Sequence, residues 1–444
     1  MPVFYPKILI IGDSFDNKSG GGITLTNLFK GWKKENIAVA SINFKEIDTT
    51  VCEKYYRLGS LESKIKFPVN KIGKKSFIES GPISITENKV SEPIINDKKK
   101  PGIKYYIQLV YWYITDIIGL EHYSNRLVIS DDFRSWVKEF NPDFVYCQLS
   151  TLETIRFIND IHFQLNIPFA IHFMDDWPIT ITNKQKGIFK LYWQKVIDSE
   201  LRHLLSSASI LMSISEAMSE AYYNRYGLKF IPFHNPIALE EWLPYSKNDW
   251  SLNETFRILY TGRLGTANNK SILTISKIVS NLYHSNIKIK LDIYSPAAST
   301  ERAGHYLDYD GVEVKPPLPY KSMPELLSSY DLLLLPLDFD EEGINFAKYS
   351  MPTKTSEYMI SGTPILVFAS MFTALAKYAS KEGWAYLVTN NDDTTLLNAL
   401  NELRTNEHLR MNLAKKAIEV AIRNEDAKLV RENFRKCFSI KDLN

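Results

Sequence analysis

Short apolar, β-branched runs alternate with amphipathic stretches along most of the chain, the rhythm of buried parallel strands set between helices. In the first half these runs predict strands at Lys7–Ile11, Ile37–Ile42, Asp143–Cys147, Pro168–Phe173, Ser209–Ile214 and Phe230–His234. Stretches of helical period lie between them, at Gly22–Lys34, Asp131–Phe140 and Thr151–Leu165. One helix has both ends written in its residues: Ser215 as N-cap, Glu216 and Glu220 near the positive start, Gly227 at the stop. A polar stretch with Trp and Pro, residues 240–254, interrupts the rhythm. It restarts with strands at Phe256–Tyr260, Ile287–Tyr294, Asp331–Leu335, Pro364–Phe368 and Ala385–Val388. Two successive sets of this kind predict an α/β fold of two Rossmann-like, doubly wound domains facing a cleft. The expected domains are residues 1–245 and 246–444, with the last helix packing back on the first.

Residues 53–102 break the pattern and read as an insertion hanging from the first domain. They end in the basic run Lys98-Lys99-Lys100 and lead into an aromatic, helix-compatible stretch, residues 103–114. Two readings fit residues 98–114. Aromatic rings beside lysines suit the surface of an anionic membrane, and an apolar helix also suits the interior of the first domain.

Length and composition narrow the class. A chain of 444 residues is too long for one ordinary core and fits two domains. Its apolar content of 45% and charged content of 23% are those of a folded globular protein. A formal net charge of +2 gives no global reason for a nucleic-acid partner. The three cysteines, Cys52, Cys147 and Cys437, match no metal-ligand spacing and point to a reducing compartment. An early strand predicts no signal peptide, and the apolar runs are too short for a membrane span. A cytoplasmic enzyme or binding protein is the expectation.

Four segments carry candidate chemistry. Strand, glycine-rich loop and helix start follow one another in Ile10 to Thr24, where Gly20, Gly21 and Gly22 would expose backbone N–H groups to an anion. The loop lacks the G-x-G-x-x-G fingerprint of dinucleotide binding, and Asn43-Phe44 follow the second strand where an acidic residue belongs. His172, Asp175, Asp176 and Trp177 cluster where a buried strand meets its loop, the end at which open α/β sheets bind ligands. Gly262-Arg263-Leu264-Gly265 again follows a strand, with Lys270 soon after, and an arginine fork beside an ammonium suits a diphosphate. The fourth segment runs from Tyr349 through Ser350, Lys354, Thr355 and Glu357 to Gly362-Thr363-Pro364. A carboxylate there can accept two ribose hydroxyl protons.

In this order the segments resemble the GT-B glycosyltransferases of the family-4 type. Ser213-Ile214-Ser215-Glu216-Ala217-Met218 and His234-Asn235-Pro236 add to the match. The resemblance implies an enzyme that moves a sugar from a nucleotide-sugar donor to a saccharide or lipid-linked acceptor, with retention of configuration and without a metal or other cofactor. It implies surface-polysaccharide synthesis at the cytoplasmic face of a membrane. Arg263 and Lys270 would hold the diphosphate and Glu357 the ribose, with His172 and Asp175 near the reacting sugar. Gly21, Gly22, Ser350, Lys354 and Thr355 would supply further donor contacts. The family's usual glutamate eight residues before the ribose carboxylate is Tyr349 here, which leaves the sugar open. Asp338-Phe339-Asp340 has the spacing of a metal-binding D-x-D but reads as an exposed loop. A nucleotide-sugar epimerase and a non-catalytic nucleotide-sugar-binding protein are the competing readings.

Overall fold

Ile8–Ile11 are four aliphatic residues with no exposed surface, and they form β1 at the middle of a mostly parallel sheet. On one side β1 pairs with β2 (Ile37–Ser41), and β2 pairs in turn with β3 (Lys54–Arg57), all parallel. The short β4 (Ser63–Ile65) lies apart from this sheet, whereas β5 (Gly81–Pro82) closes its edge antiparallel to β3. Residues Asn125–Leu127 form β6, the antiparallel mate of β4. On its other side β1 pairs with β7 (Phe144–Cys147), followed by β8 (Phe169–Phe173), β9 (Ile210–Ser213) and β10 (Ile231–Pro232). β1, β2, β7, β8 and β9 are buried along their whole length. That explains why they read as continuous apolar runs rather than alternating ones.

This computed structural model describes residues 5–16, 20–44, 47–67, 78–83, 103–296 and 307–439. Its helices start and stop where local chemistry dictates. Ser130 accepts from Phe133 N at 3.0 Å to open helix Asp131–Phe140, and Asn141 ends it in the left-handed region. A capping box between Thr151 and Thr154 opens Leu152–Leu165, which Asn166 closes in the same way.

A second sheet, order β13-β12-β11-β14-β15-β16, is parallel throughout. Its strands are β11 (Phe256–Thr261), β12 (Ile289–Tyr294), β13 (Val312–Lys315), β14 (Leu332–Pro336), β15 (Ile365–Phe368) and β16 (Tyr386–Val388). Ile258, Leu291, Leu332 and Leu366 pack against Ile272, Ile275 and Val279 of helix Asn269–His284 to form its core.

The chain divides into two compact units. One comprises Met1–Ser213, Ser219–Pro232 and Asn433–Asn444; the other comprises Ile214–Met218 and Phe233–Glu432. The division therefore falls at 232/233 rather than at the expected 245/246, because residues 233–245 pack with the second sheet. In the first unit Phe434 and Phe438 are fully buried, with Phe434 edge-on to Phe29 and Tyr146 and Phe438 edge-on to Phe144.

Two further expectations are corrected. Residues 54–57 are not the start of an insertion, since β3 is a strand of the first sheet with Tyr55 and Tyr56 buried. Two large aromatics between charged ends hid its period. Lys98–Lys100 and most of that segment lie outside the described residues. Helix Ile103–Ile118 exists, but Val110, Trp112, Tyr113 and Ile114 are exposed on it, so this stretch is no interior helix.

Candidate active site

At the carboxyl end of β11 the chain turns through Gly262, whose φ of 132° only glycine adopts readily. The turn that carries Arg263 is stapled from behind. Tyr260 donates its hydroxyl proton to the Arg263 carbonyl at 2.8 Å, and Asn268 Nδ2 donates to the same carbonyl at 3.1 Å. Asn268 also donates to the Tyr260 hydroxyl at 2.8 Å and accepts from Gly265 N at 3.1 Å. The Arg263 side chain is exposed. Its backbone is fixed while its guanidinium projects from a rigid base.

Helix Lys354–Ile360 lies against this turn. Lys354 Nζ donates to the Thr261 carbonyl at 2.8 Å and sits 3.8 Å above the centre of the Tyr260 ring. Three residues on, Glu357 is buried, with the Tyr320 hydroxyl bonded to its carboxylate. Burial pulls Lys354 down to about 7, with Glu357 opposing, and pushes Glu357 up to about 7, with Tyr320 and Lys354 opposing. Tyr358 locks the helix to the strand, its hydroxyl accepting from Thr261 N at 2.9 Å.

The segment before this helix is held by residues distant in sequence. Asn235 Nδ2 donates to the Thr353 carbonyl at 3.0 Å, and Ser356 Oγ donates to the Asn235 carbonyl at 2.6 Å. Ser215 Oγ donates to the Tyr349 carbonyl at 2.6 Å and accepts from Met218 N at 3.1 Å, so the N-cap also tethers this segment. Behind Ser356, Glu425 accepts from Tyr378 at 2.9 Å and pairs with His234 Nδ1 at 2.8 Å. Burial lowers the His234 imidazole, but the Glu425 charge and hydrogen bond outweigh it and leave it above its ordinary range.

A cavity of about 210 Å³ opens beside these groups, lined by Asn268, Pro336, Phe346, Ser350, Met351 and Lys354 among others. Thr355 is buried next to Lys354, and its hydroxyl has no hydrogen-bond partner among the described residues. The second unit therefore gathers Arg263, Ser350, Lys354, Thr355 and Glu357 at the carboxyl ends of β11 and β14.

Lys270 is elsewhere employed. Its exposed ammonium pairs with Asp340 at 2.5 Å, and its backbone N–H is bound to Asp338 at 3.2 Å. Asp338 also accepts from Ser271 N at 2.8 Å, capping helix Asn269–His284, and Asp340 caps the next helix through Gly343 N at 3.3 Å. Asp338 is buried, not part of an exposed loop. The D-x-D spacing comes from two consecutive helix caps.

In the first unit, His172 is buried on β8 and shares a 2.7 Å hydrogen bond with the Tyr146 hydroxyl through Nδ1. Gln148 Nε2 reaches the same hydroxyl at 3.3 Å. Asp175 is exposed, though surrounding protein raises its carboxyl above the ordinary range and the Trp177 backbone N–H opposes this. Asp176 has a structural task, receiving Arg225 at 2.7 and 3.0 Å and Tyr222 at 2.9 Å. The glycine loop is not an empty anion cradle. A Cβ on Gly22 would stand 2.3 Å from Asp16 Oδ2, and one on Gly21 would stand 3.0 Å from Gln148 Oε1. The chain's own carboxylate lies where an anion was expected.

Sequence reading left Tyr260, Asn268, Tyr320, Tyr358 and Glu425 without roles. Each acts through tertiary contact. Asn235 did stand in a recognised motif, and its task is to hold the backbone before Lys354.

Residues 255–406 match the family model described as glycosyl transferases group 1. No curated protein matches the chain in sequence. Among solved structures the chain is similar to sucrose-phosphate synthase from Thermosynechococcus elongatus, at 13% identity and a TM-score of 0.63, covering 97% of this chain and 98% of that one. It is similar to Anabaena HepE in complex with UDP and glucose, at 12% identity and a TM-score of 0.62, over 98% and 100% of the two chains. TarM is similar at 11% identity and a TM-score of 0.59, over 99% of both. The chain has the fold of these proteins, GT-B, built from two Rossmann-like domains.

The approach of Asp16 to Gly22 is directly testable. Gly22→Ala is expected to lower stability by about 1–3 kcal/mol in urea unfolding, the usual cost of overpacking. Adding Asp16→Ala should restore most of it, because the two changes share one contact. Strictly additive losses would show that the contact is not the reason for the glycine.

Proposed function

We propose that this chain is a retaining, family-4-type glycosyltransferase that moves a hexosyl group from a nucleotide-sugar donor to a saccharide or lipid-linked saccharide acceptor, in the assembly of surface polysaccharide. One observation carries the reading: Lys354, half-buried, and Glu357, buried, stand one helical turn apart beside the Gly262–Arg263 turn. They do so at the end of a parallel sheet where ligands of such folds bind. The family match of residues 255–406 and the likeness to HepE, solved with UDP and glucose, support the same donor class.

In this reading the bond from the anomeric carbon to the diphosphate breaks as the acceptor oxygen bonds to that carbon. The acceptor proton passes to the departing diphosphate. Negative charge grows on the leaving group, and Arg263 and Lys354 are the cations placed to take it. A bound diphosphate would itself favour the protonated ammonium of Lys354. Lys270 joins only by leaving Asp340. Glu357 accepts from the ribose hydroxyls, while Ser350 and Thr355 offer hydroxyls to the sugar phosphate. The family resemblance assigns His172, kept in one orientation by Tyr146, and Asp175 to the transferred sugar, and Gly21 and Gly22 to a loop contacting the donor. The proposed reaction uses no cofactor and no metal, because fixed cations meet the leaving charge.

A thermal-shift screen with UDP, GDP, ADP, CMP and their sugar conjugates should raise Tm for one nucleotide, through binding to the folded state alone. Glu357→Ala should abolish that shift. No shift with any nucleotide would remove the donor site, and turnover of a nucleotide sugar without acceptor would favour the epimerase reading. Arg263→Ala is expected to lower kcat/KM by on the order of 10²–10³, and transfer by the unaltered enzyme should survive excess EDTA. Nucleotide affinity should peak near neutral pH. Below about 7 Glu357 takes up a proton and stops accepting, and above about 7 Lys354 loses its cation. Calorimetry on Glu357→Gln should show the acid limb gone and the alkaline limb kept; an unchanged profile would refute this assignment.

A further inference from the structure

Helix Gly187–Ser207 has two apolar faces, and among the described residues only one has protein against it. Trp193, Ile197, Leu201 and Leu204 are buried. Ile188, Leu191 and Tyr192 are 76%, 68% and 58% exposed. With Lys195 these three fall on an arc of about 100°, opposite the buried face. A surface helix ordinarily carries polar residues there.

The exposed face continues onto helix Ile103–Ile118. Lys186 Nζ lies 3.4 Å from the Tyr113 hydroxyl, Gln185 Nε2 donates to the Asp116 carbonyl at 2.9 Å, and Trp193 Nε1 donates to the Ile118 carbonyl at 2.8 Å. These bonds fix the two helices side by side. Val110 and Tyr113 are 57% and 59% exposed, with Trp112 and Ile114 also open. Ile179, on the short helix Trp177–Thr180, is exposed as well. Scattered exposed apolar residues need no explanation, but a contiguous set of aromatic and aliphatic side chains on adjoining helices does.

Charge identifies the occupant. From Trp177 to Ile197 the sequence holds Lys184, Lys186, Lys190 and Lys195 and no aspartate or glutamate. The chain as a whole is close to balanced, with 53 basic and 51 acidic residues, so the bias is local. Asp116 holds Lys184 at 3.3 Å, Lys186 stands just before the helix, and Lys195 falls within the exposed apolar arc. A second copy docked about a two-fold axis would set these lysines against their own kind. An anionic bilayer accepts both features: aromatic and aliphatic side chains enter the headgroup boundary, and ammonium groups meet lipid phosphates.

We infer that the surface formed by residues 110–114, Ile179 and the first two turns of helix Gly187–Ser207 docks the protein on an anionic lipid bilayer. This deepens the proposed function by placing the enzyme where a lipid-linked acceptor would be, yet it rests on none of the donor-site residues. Only this face is required. The lysines supply long-range attraction and the apolar side chains supply retention.

Co-sedimentation of the full chain with vesicles tests it. Binding is expected to vesicles of phosphatidylglycerol and phosphatidylcholine, to weaken as salt is raised, and to be absent with phosphatidylcholine alone. Ile188→Glu/Leu191→Glu alters exposed side chains only, so Tm should hold while vesicle affinity drops on the order of tenfold or more. Lys186→Glu/Lys195→Glu should give a similar loss. No binding to anionic vesicles, or equal binding by the variants, would overturn the proposal. So would a dimer that the Ile188→Glu/Leu191→Glu variant splits without any lipid binding, since the face would then belong to a second copy. Nucleotide-induced shifts in Tm are read separately, so failure of lipid docking and failure of the transferase reading are distinguishable.

Discussion

The second unit depends on a half-buried ammonium. Lys354 Nζ spends its charge on the last carbonyl of β11, on the face of Tyr260 and on nearby Glu357. Desolvating a cation costs several kcal/mol unless partners return it. A cation–π contact at a desolvated site returns about 2 kcal/mol, so the carbonyl and the carboxylate must supply the rest. Removing any one partner leaves the others in an unfavourable field. Helix Lys354–Ile360 thus cannot slide against β11 without losing the Thr261 carbonyl and the Tyr260 ring, and Tyr358 adds a bond to Thr261 N that fixes the register.

That register is built to be reinforced from behind. Asn235, Ser356, His234, Glu425 and Tyr378 form one hydrogen-bonded set, and it ends at the backbone just before Lys354 and at the residue just before Glu357. A group held this way loses little freedom when a ligand arrives, which is how a site becomes preorganised. The turn bearing Arg263 receives the same treatment from Tyr260 and Asn268. Polar side chains here work on backbone position.

Helix starts tell a complementary story. Asp338 fills the beginning of Asn269–His284, Asp340 that of Glu341–Ala347, and Asp16 lies against Gly22 in Gly20–Phe29. These three helix starts each meet a carboxylate of the chain itself. Phosphate charge would then meet side-chain cations rather than helix ends.

Strand positions along both sheets were legible because buried parallel strands are short apolar runs and period alone reveals them. β3 escaped because two aromatics stand between charged ends, and β13 because polar and apolar residues alternate over four positions only, too short a span to read as a period. Glu357 and Lys354 were legible as candidates because their motif is local, three residues apart on one helix. Lys270 shows the limit: it stood at a plausible spacing from Arg263, yet Asp340 holds it at the surface. Spacing fixes which residues are neighbours along a strand or a helix, and so determined the fold class and which residues became candidates. Which carboxylate claims which cation depends on loops returning from 70 or more residues away, as Asp340 does to Lys270 and Thr261 to Lys354. Only the packed tertiary structure decides that, because desolvation is what makes one pairing strong and another negligible.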